Sequence, residues 1–332
     1  MTRARGGRGW GRSPITRACS PSAGCPTPRT PPSSRASTRP SSGRRWTSSC
    51  PRRRGRGTGR APSGPASAPP GAHLEAGLDP FDELRVVDFG DAPVPADPRR
   101  SHAAIEATVA KVFAAGAIPV VLGGDHSITE PEVRASAAAH GPVGLVHFDA
   151  HTDTAPECFG AELSHGTSMY RLVEAGYVDP SRYVQIGLRG YWPGRAVFAW
   201  QRERGITSLF MHDVRDRGIA GIVREANAAV GDGRVFISID IDVLDPAFAP
   251  GTGTPEPGGM TSADLLWACR ILAGALDLVG ADVVEVRPTG TGAGAADVTA
   301  LVAARTVHEL LTGVATSRAR RKVGASMTPE RA

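Results

Sequence analysis

The chain is expected to fold as an α/β protein, a single three-layer α/β/α domain with a mainly parallel central sheet, preceded by a disordered tail. Three observations predict this. From about Leu84 onward, short β-branched runs alternate with amphipathic runs of helical period. Clusters of Asp, His and Gly fall at the carboxyl ends of those runs, where open parallel sheets gather their ligands. The first 70 residues differ from the rest, with fifteen arginines and no lysine, acidic residue, Leu, Val or Phe.

A segment whose only large apolar side chains are Ile15, Trp10 and Trp46 cannot bury enough surface to offset its chain entropy, so residues 1–73 are expected to be disordered. Two origins fit that composition: a genuine solvated tail, and a shifted reading frame in a GC-rich gene. The domain is expected over 74–316, with 317–332 as a basic, flexible C-terminal tail. It begins with a strand at 85–87. Residues 101–115 place Ile105, Val109, Val112 and Phe113 on one stripe and stop at Gly116, which reads as a helix. Further strands are expected at 118–122, 143–148, 183–188, 234–241 and 278–286. Helices are expected near 166–175, 194–204, 219–230, 262–276 and 298–311.

Without the first 70 residues, 23 basic residues face 33 acidic ones, so the formal charge of +5 conceals an acidic domain. The clusters Gly43-Arg44-Arg45 and Arg52-Arg53-Arg54-Gly55-Arg56 suit an anionic partner. Composition alone carries that idea, and no nucleic-acid partner is expected. Cys19, Cys25 and Cys50 lie in the tail, and Cys158 and Cys269 lack zinc-like spacing, so no disulfide framework is implied. No run of about eighteen apolar residues occurs, and a reducing, cytoplasmic setting without a membrane partner is expected.

The chemistry concentrates in three clusters. Gly123-Gly124-Asp125-His126-Ser127 follows the second expected strand, 118–122. His147-Phe148-Asp149-Ala150-His151-Thr152-Asp153 and Ser238-Ile239-Asp240-Ile241-Asp242 place ligand types at every second position, which on a strand share a face. Singly, such an Asp reads as a turn cap and such a His as structural. Six at three strand ends, His126, Asp149, His151, Asp153, Asp240 and Asp242, read as a metal site. The oxygen-rich set with some imidazole favours Mn2+ or a similar ion. Carboxylates at this density repel one another without cations, and a pair of ions lowers the pKa of bound water to give a nucleophile at neutral pH.

These clusters, together with the run from Asp245 to Pro255, resemble the three signatures of the ureohydrolases, the arginase and agmatinase superfamily, over about residues 77–314. The resemblance implies an arginase-like fold and a hydrolase with two Mn2+ per chain that cleaves a guanidinium to urea and an amine. It implies one manganese held by His126, Asp149, Asp153 and Asp240, and the other by His151, Asp149, Asp240 and Asp242. It also implies that His165, in Ser164-His165-Gly166-Thr167, protonates the leaving amine, that Glu285 grips the guanidinium, and that the chain assembles as a trimer or hexamer. Asp125 and Ser127 are expected either to orient ligands or to cap the turn, and Asp245 to shape the turn before Pro246. The glycines of Gly251-Thr252-Gly253-Thr254 lack the lysine and helix of a phosphate cradle.

The loop 154–164 resembles the agmatinase version and lacks the Asn- and Ser-rich segment of arginases, so agmatine is the expected substrate. A guanidino acid such as guanidinobutyrate or guanidinopropionate is the alternative, its carboxylate needing one cation from Arg189 or Arg195. Two departures from the family pattern stand out. After Glu285 the chain carries a longer, glycine-rich run to Asp297, and the arginine-rich tail replaces a first strand and an active-site loop. Both leave room for a metal-binding relative of weak activity.

Overall fold

The structure is a computed structural model and describes residues 45–49, 71–287 and 298–326. In chain order its elements are β1 (Arg45–Ser49), α1 (Pro80–Glu83), β2 (Val86–Asp88), α2 (Pro98–Ala114), β3 (Ala117–Leu122), α3 (Thr129–His140), β4 (Val143–Phe148), α4 (Ser168–Glu174) and β5 (Val178–Leu188). Then follow α5 (Arg195–Arg204), β6 (Thr207–Phe210), α6 (Met211–Val230), β7 (Arg234–Asp240), α7 (Ser262–Ala275), β8 (Asp277–Val284) and α8 (Val298–Ser326). Short 3-10 turns sit at His126–Ile128, His165–Thr167 and Ile241–Val243. The strands form one sheet in the order β2-β1-β3-β8-β7-β4-β5-β6, and every described pair is parallel.

Strands buried on both faces are mostly apolar, and β4 is buried along its whole length. Alternate residues serve opposite layers. Val146, Phe148, Ile186, Ile237 and Ile239 join a core with Ile222 and Ala226 of α6, Leu265 and Leu272 of α7, and Leu310 of α8. Leu145, Tyr183 and Phe236 face the other way, onto Val133 of α3 and Met169 and Leu172 of α4. Helices α7 and α8 cross so closely that a Cβ on Gly313 would lie 2.9 Å from the backbone nitrogen of Gly274 and still nearer the carbonyl of Arg270. Only glycine fits there. Helix starts follow local chemistry: Asp97 precedes Pro98 and accepts from the backbone N–H of Arg100 at 2.8 Å.

Within the described residues, some elements differ from those expected. Within the segment expected to be disordered, Arg45–Ser49 forms a strand between β2 and β3, in the place where a first strand was thought to be missing. The rest of residues 1–70 lies outside the described residues, as do 288–297 of the glycine-rich run and 327–332 at the C-terminus. Residues 317–326, expected to be flexible, continue α8. Helix α3 and strand β6 were not foreseen, β5 begins five residues earlier than expected, and α6 carries a break at Gly218 (φ 66°) just before the expected helix at 219–230.

Candidate metal centre and active site

Strands β3, β8, β7 and β4 are consecutive in the sheet, and the eight expected site residues lie at or beyond their carboxyl ends. Most of the ligand candidates are not on strands. β4 ends at Phe148 and β7 at Asp240, so turns beyond the strands aim them, not strand alternation. Each turn is built alike: the first Asp accepts the backbone N–H two residues on, Asp125 from Ser127 at 3.1 Å, Asp149 from His151 at 2.5 Å and Asp240 from Asp242 at 2.8 Å. Asp125 therefore caps its turn, as one of its two expected roles required. Asp245 likewise accepts from Ala247, Gly258 and Gly259, which hold its carboxyl below the usual range.

The six ligand candidates converge. His126 Nδ1 lies 3.1 Å from Asp149 Oδ2, 3.0 Å from Asp153 Oδ2 and 3.3 Å from Asp240 Oδ2. His151 Nδ1 lies 3.4 Å from Asp149 Oδ1 and 3.0 Å from Asp242 Oδ2. The two oxygens of Asp149 thus face the two imidazoles, the arrangement a bridging carboxylate needs. All but His151 are buried.

This nest has too much negative charge for its burial. Burial pushes Asp240 and Asp242 up, with neighbouring carboxylates adding to it. Asp149 goes the other way, because contacts with His126, His147 and His151 outweigh its burial. Burial alone would lower the imidazoles, yet the surrounding carboxylates raise His126 well above its ordinary value and His151 to about 11. A divalent cation would balance the same charge. The donor set fits one: His126 Nδ1 is buried without a hydrogen-bond partner. Ligand atoms about 2.1 Å from an ion stand roughly 3 Å apart at right angles, close to the separations around it.

Beneath the ligands runs a polar row that the sequence did not reveal. Gln185, His147, Ser238 and Asp282 are Cα partners across β5, β4, β7 and β8, and all four are fully buried. His147 Nε2 donates to Asp149 Oδ2 at 2.9 Å, while its Nδ1 lies 2.9 Å from the Tyr183 hydroxyl. Both ring nitrogens are engaged within the protein, so His147 props Asp149 although it lies within ligand distance of it. Its place in the spacing 147, 149, 151, 153 was the signal for it.

Above the ligands lies a cavity of about 290 Å3 lined by His151, Asp153, His165, Asp240 and Glu285. Cys158, Phe159, Trp192 and Thr254 complete the lining, none of them an expected site residue. Asp153 (φ 49°) and Glu285 (φ 58°) both take left-handed backbone conformations, uncommon for residues with side chains and frequent at functional sites. Glu285 Oε1 accepts from the backbone N–H of His126 at 2.9 Å, and burial, with Asp125 and Asp153 nearby, lifts the carboxyl to about 7. Of the two arginines considered for a substrate carboxylate, neither lines this cavity. Arg189 spends its guanidinium on the carbonyls of Gly187, Asp242, Val243, Leu244, Glu256 and Pro257, and Arg195 is exposed in the first turn of α5.

A sequence profile of the arginase family matches residues 52–313. The chain is 48% identical over 252 residues to the guanidinopropionase of Pseudomonas aeruginosa, covering 75% of this chain and 77% of that one. It is 43% identical over 246 residues to the mitochondrial agmatinase of Gallus gallus, covering 72% and 69%. The solved proclavaminate amidino hydrolase of Streptomyces clavuligerus superposes with a TM-score of 0.76 at 33% identity, covering 83% of this chain and 93% of that one. With its signature residues gathered on one sheet rim and these likenesses along most of its length, the chain belongs to the arginase family and is a hydrolase of linear amidines.

Proposed function

We propose that this protein hydrolyses agmatine to urea and putrescine with two Mn2+ ions. The observation that carries the hydrolytic reading is the meeting, in and beneath one cavity, of the six ligand candidates with His165 and Glu285. His126, Asp149, Asp153 and Asp240 would hold one ion, and His151, Asp149, Asp240 and Asp242 the other. Bound there, the ions would acidify water at neutral pH. Glu285 receives the planar guanidinium in paired hydrogen bonds and holds its carbon for attack. His165 stands in the cavity wall and gives the departing amine its proton, without which the amine is a poor leaving group. Phe159 and Trp192 add aromatic rings to the lining, which suits a cationic tail.

The preference for agmatine rests on charge. Among the described residues, no arginine or lysine lines the cavity, so a distal carboxylate would meet carboxylates and aromatic rings. A guanidino acid is the second reading, favoured by the 48% identity to a guanidinopropionase. Urea release from agmatine, arginine, 4-guanidinobutyrate and 3-guanidinopropionate by the Mn2+-loaded protein separates the two. Agmatine should show the highest kcat/KM. A guanidino acid ahead of it would establish the second reading, and no urea from any of the four would contradict both.

A further inference from the structure

The buried polar row holds two side chains that the reaction does not use directly, Ser238 and Asp282. Ser238 Oγ lies 2.9 Å from His126 Nε2 and 2.8 Å from Asp282 Oδ1. Asp282 also accepts from Thr129 Oγ1 at 2.7 Å and from the backbone N–H of Ile239 at 3.2 Å. A hydroxyl carries one proton, and Thr129 Oγ1 and Ser238 Oγ each donate theirs to a carboxylate oxygen of Asp282. Asp282 therefore takes the single protons of both Thr129 and Ser238. Ser238 has only a lone pair left for His126, so the ring must present its Nε2–H.

We propose that Asp282 and Ser238 are positioning residues that fix His126 with Nε2–H donated to Ser238 and Nδ1 turned toward Asp149, Asp153 and Asp240, making Nδ1 the atom offered to a cation. This rests on the metal-centre reading above. The relay starts on β8, passes through its register partner on β7 and reaches the turn after β3, three neighbouring strands of the sheet. Full burial gives these groups no water to substitute for a lost partner. The other imidazole of the nest, His151, is partly exposed and makes no contact with this pair among the described hydrogen bonds. The relay thus acts on one cation position of the two. Partners of metal-bound imidazoles that hold the ring in this way typically change metal affinity by about 10- to 100-fold when removed.

The test is Mn2+ titration of the metal-free full chain, read from the electron paramagnetic resonance signal of free Mn2+, for wild type, Ser238→Ala and Asp282→Asn. Folding of each is checked by circular dichroism. Wild type should bind in two steps, and each folded variant should lose about 10- to 100-fold at one step while the other is unchanged. Wild-type affinity in a folded variant, or equal weakening of both steps, would overturn the relay. Wild type that binds no Mn2+ would remove the metal-centre reading and the relay with it. A second measurement needs no variant: 15N-histidine spectra of the Zn2+-loaded wild type should show one metal-bound imidazole with a slowly exchanging Nε2 proton that becomes exposed to exchange in neither titration limit. A His126 ring bound through Nε2 would overturn the proposal.

Discussion

The backbone N–H of His126 donates to Oε1 of Glu285 across 2.9 Å, so the turn that presents a ligand candidate also braces the carboxylate meant for the substrate. Glu285→Gln keeps an acceptor for that N–H but removes the charge facing a guanidinium. The variant should bind Mn2+ like wild type and lose about 10- to 100-fold in kcat/KM, corresponding to the ~1.5–3 kcal/mol of a hydrogen bond to a charged group. Steady-state kinetics beside metal analysis checks this. Loss of metal would show that Glu285 serves the nest instead of the substrate.

His165→Ala should leave both cation positions intact and lower kcat by about 10²- to 10⁴-fold, the usual contribution of a positioned proton donor. His165 lines the cavity but has no contact with the ligand candidates among the described hydrogen bonds. Normal turnover by this variant would remove it from the reaction.

Loading metal should release protons. In the metal-free protein the surrounding carboxylates raise His126 well above its ordinary value and His151 to about 11, which favours a proton on each ring. For a base raised above its unfolded value, the stabilisation is complete below the ordinary pKa near 6.5 and fades as pH rises through about 11. A cation displaces those protons, so calorimetric titration with Mn2+ at pH 7 in buffers of different ionisation enthalpy should report net proton release, and affinity should fall as pH is lowered. Proton-independent binding would contradict this picture of the nest.

Much of this site was legible in the sequence because Asp and His are common metal ligands, and here they stand at short, fixed spacings after β-branched runs. Their mode of convergence was not. The spacing of Asp149, His151 and Asp153 reads equally well as strand alternation, yet the carboxylates bend the chain into turns once β4 has ended. Ser238 and Asp282 were hidden for a related reason, since a polar residue inside a strand shows nothing of its partner on another strand. Helix α3 escaped notice because Thr129–His140 is rich in alanine and holds a single large aliphatic residue, Val133, while β6 has only four residues. Arg189 looked available to a substrate because nothing local shows that five carbonyls remote in sequence, from Asp242, Val243, Leu244, Glu256 and Pro257, join that of Gly187 around it.

Arg189→Met should therefore act on stability more than on substrate choice. The lost guanidinium ties the carbonyls of Asp242 and Leu244 to that of Glu256, and leaving them unpaired should cost about 2–4 kcal/mol. Thermal unfolding should show the loss, while the ratio of agmatine to guanidinobutyrate hydrolysis stays unchanged. A changed ratio with unchanged stability would mean that Arg189 reaches the substrate.

The most direct test strips the protein with EDTA, restores Mn2+, and measures bound manganese and urea release from agmatine together, for wild type and for Asp149→Asn. Asp149 faces both His126 and His151, so its charge serves both positions. Wild type should lose urea release on stripping and regain it with about two Mn2+ per chain, whereas Asp149→Asn should bind weakly and release little urea. Undiminished urea release from the stripped wild type, or from Asp149→Asn without bound manganese, would contradict the account.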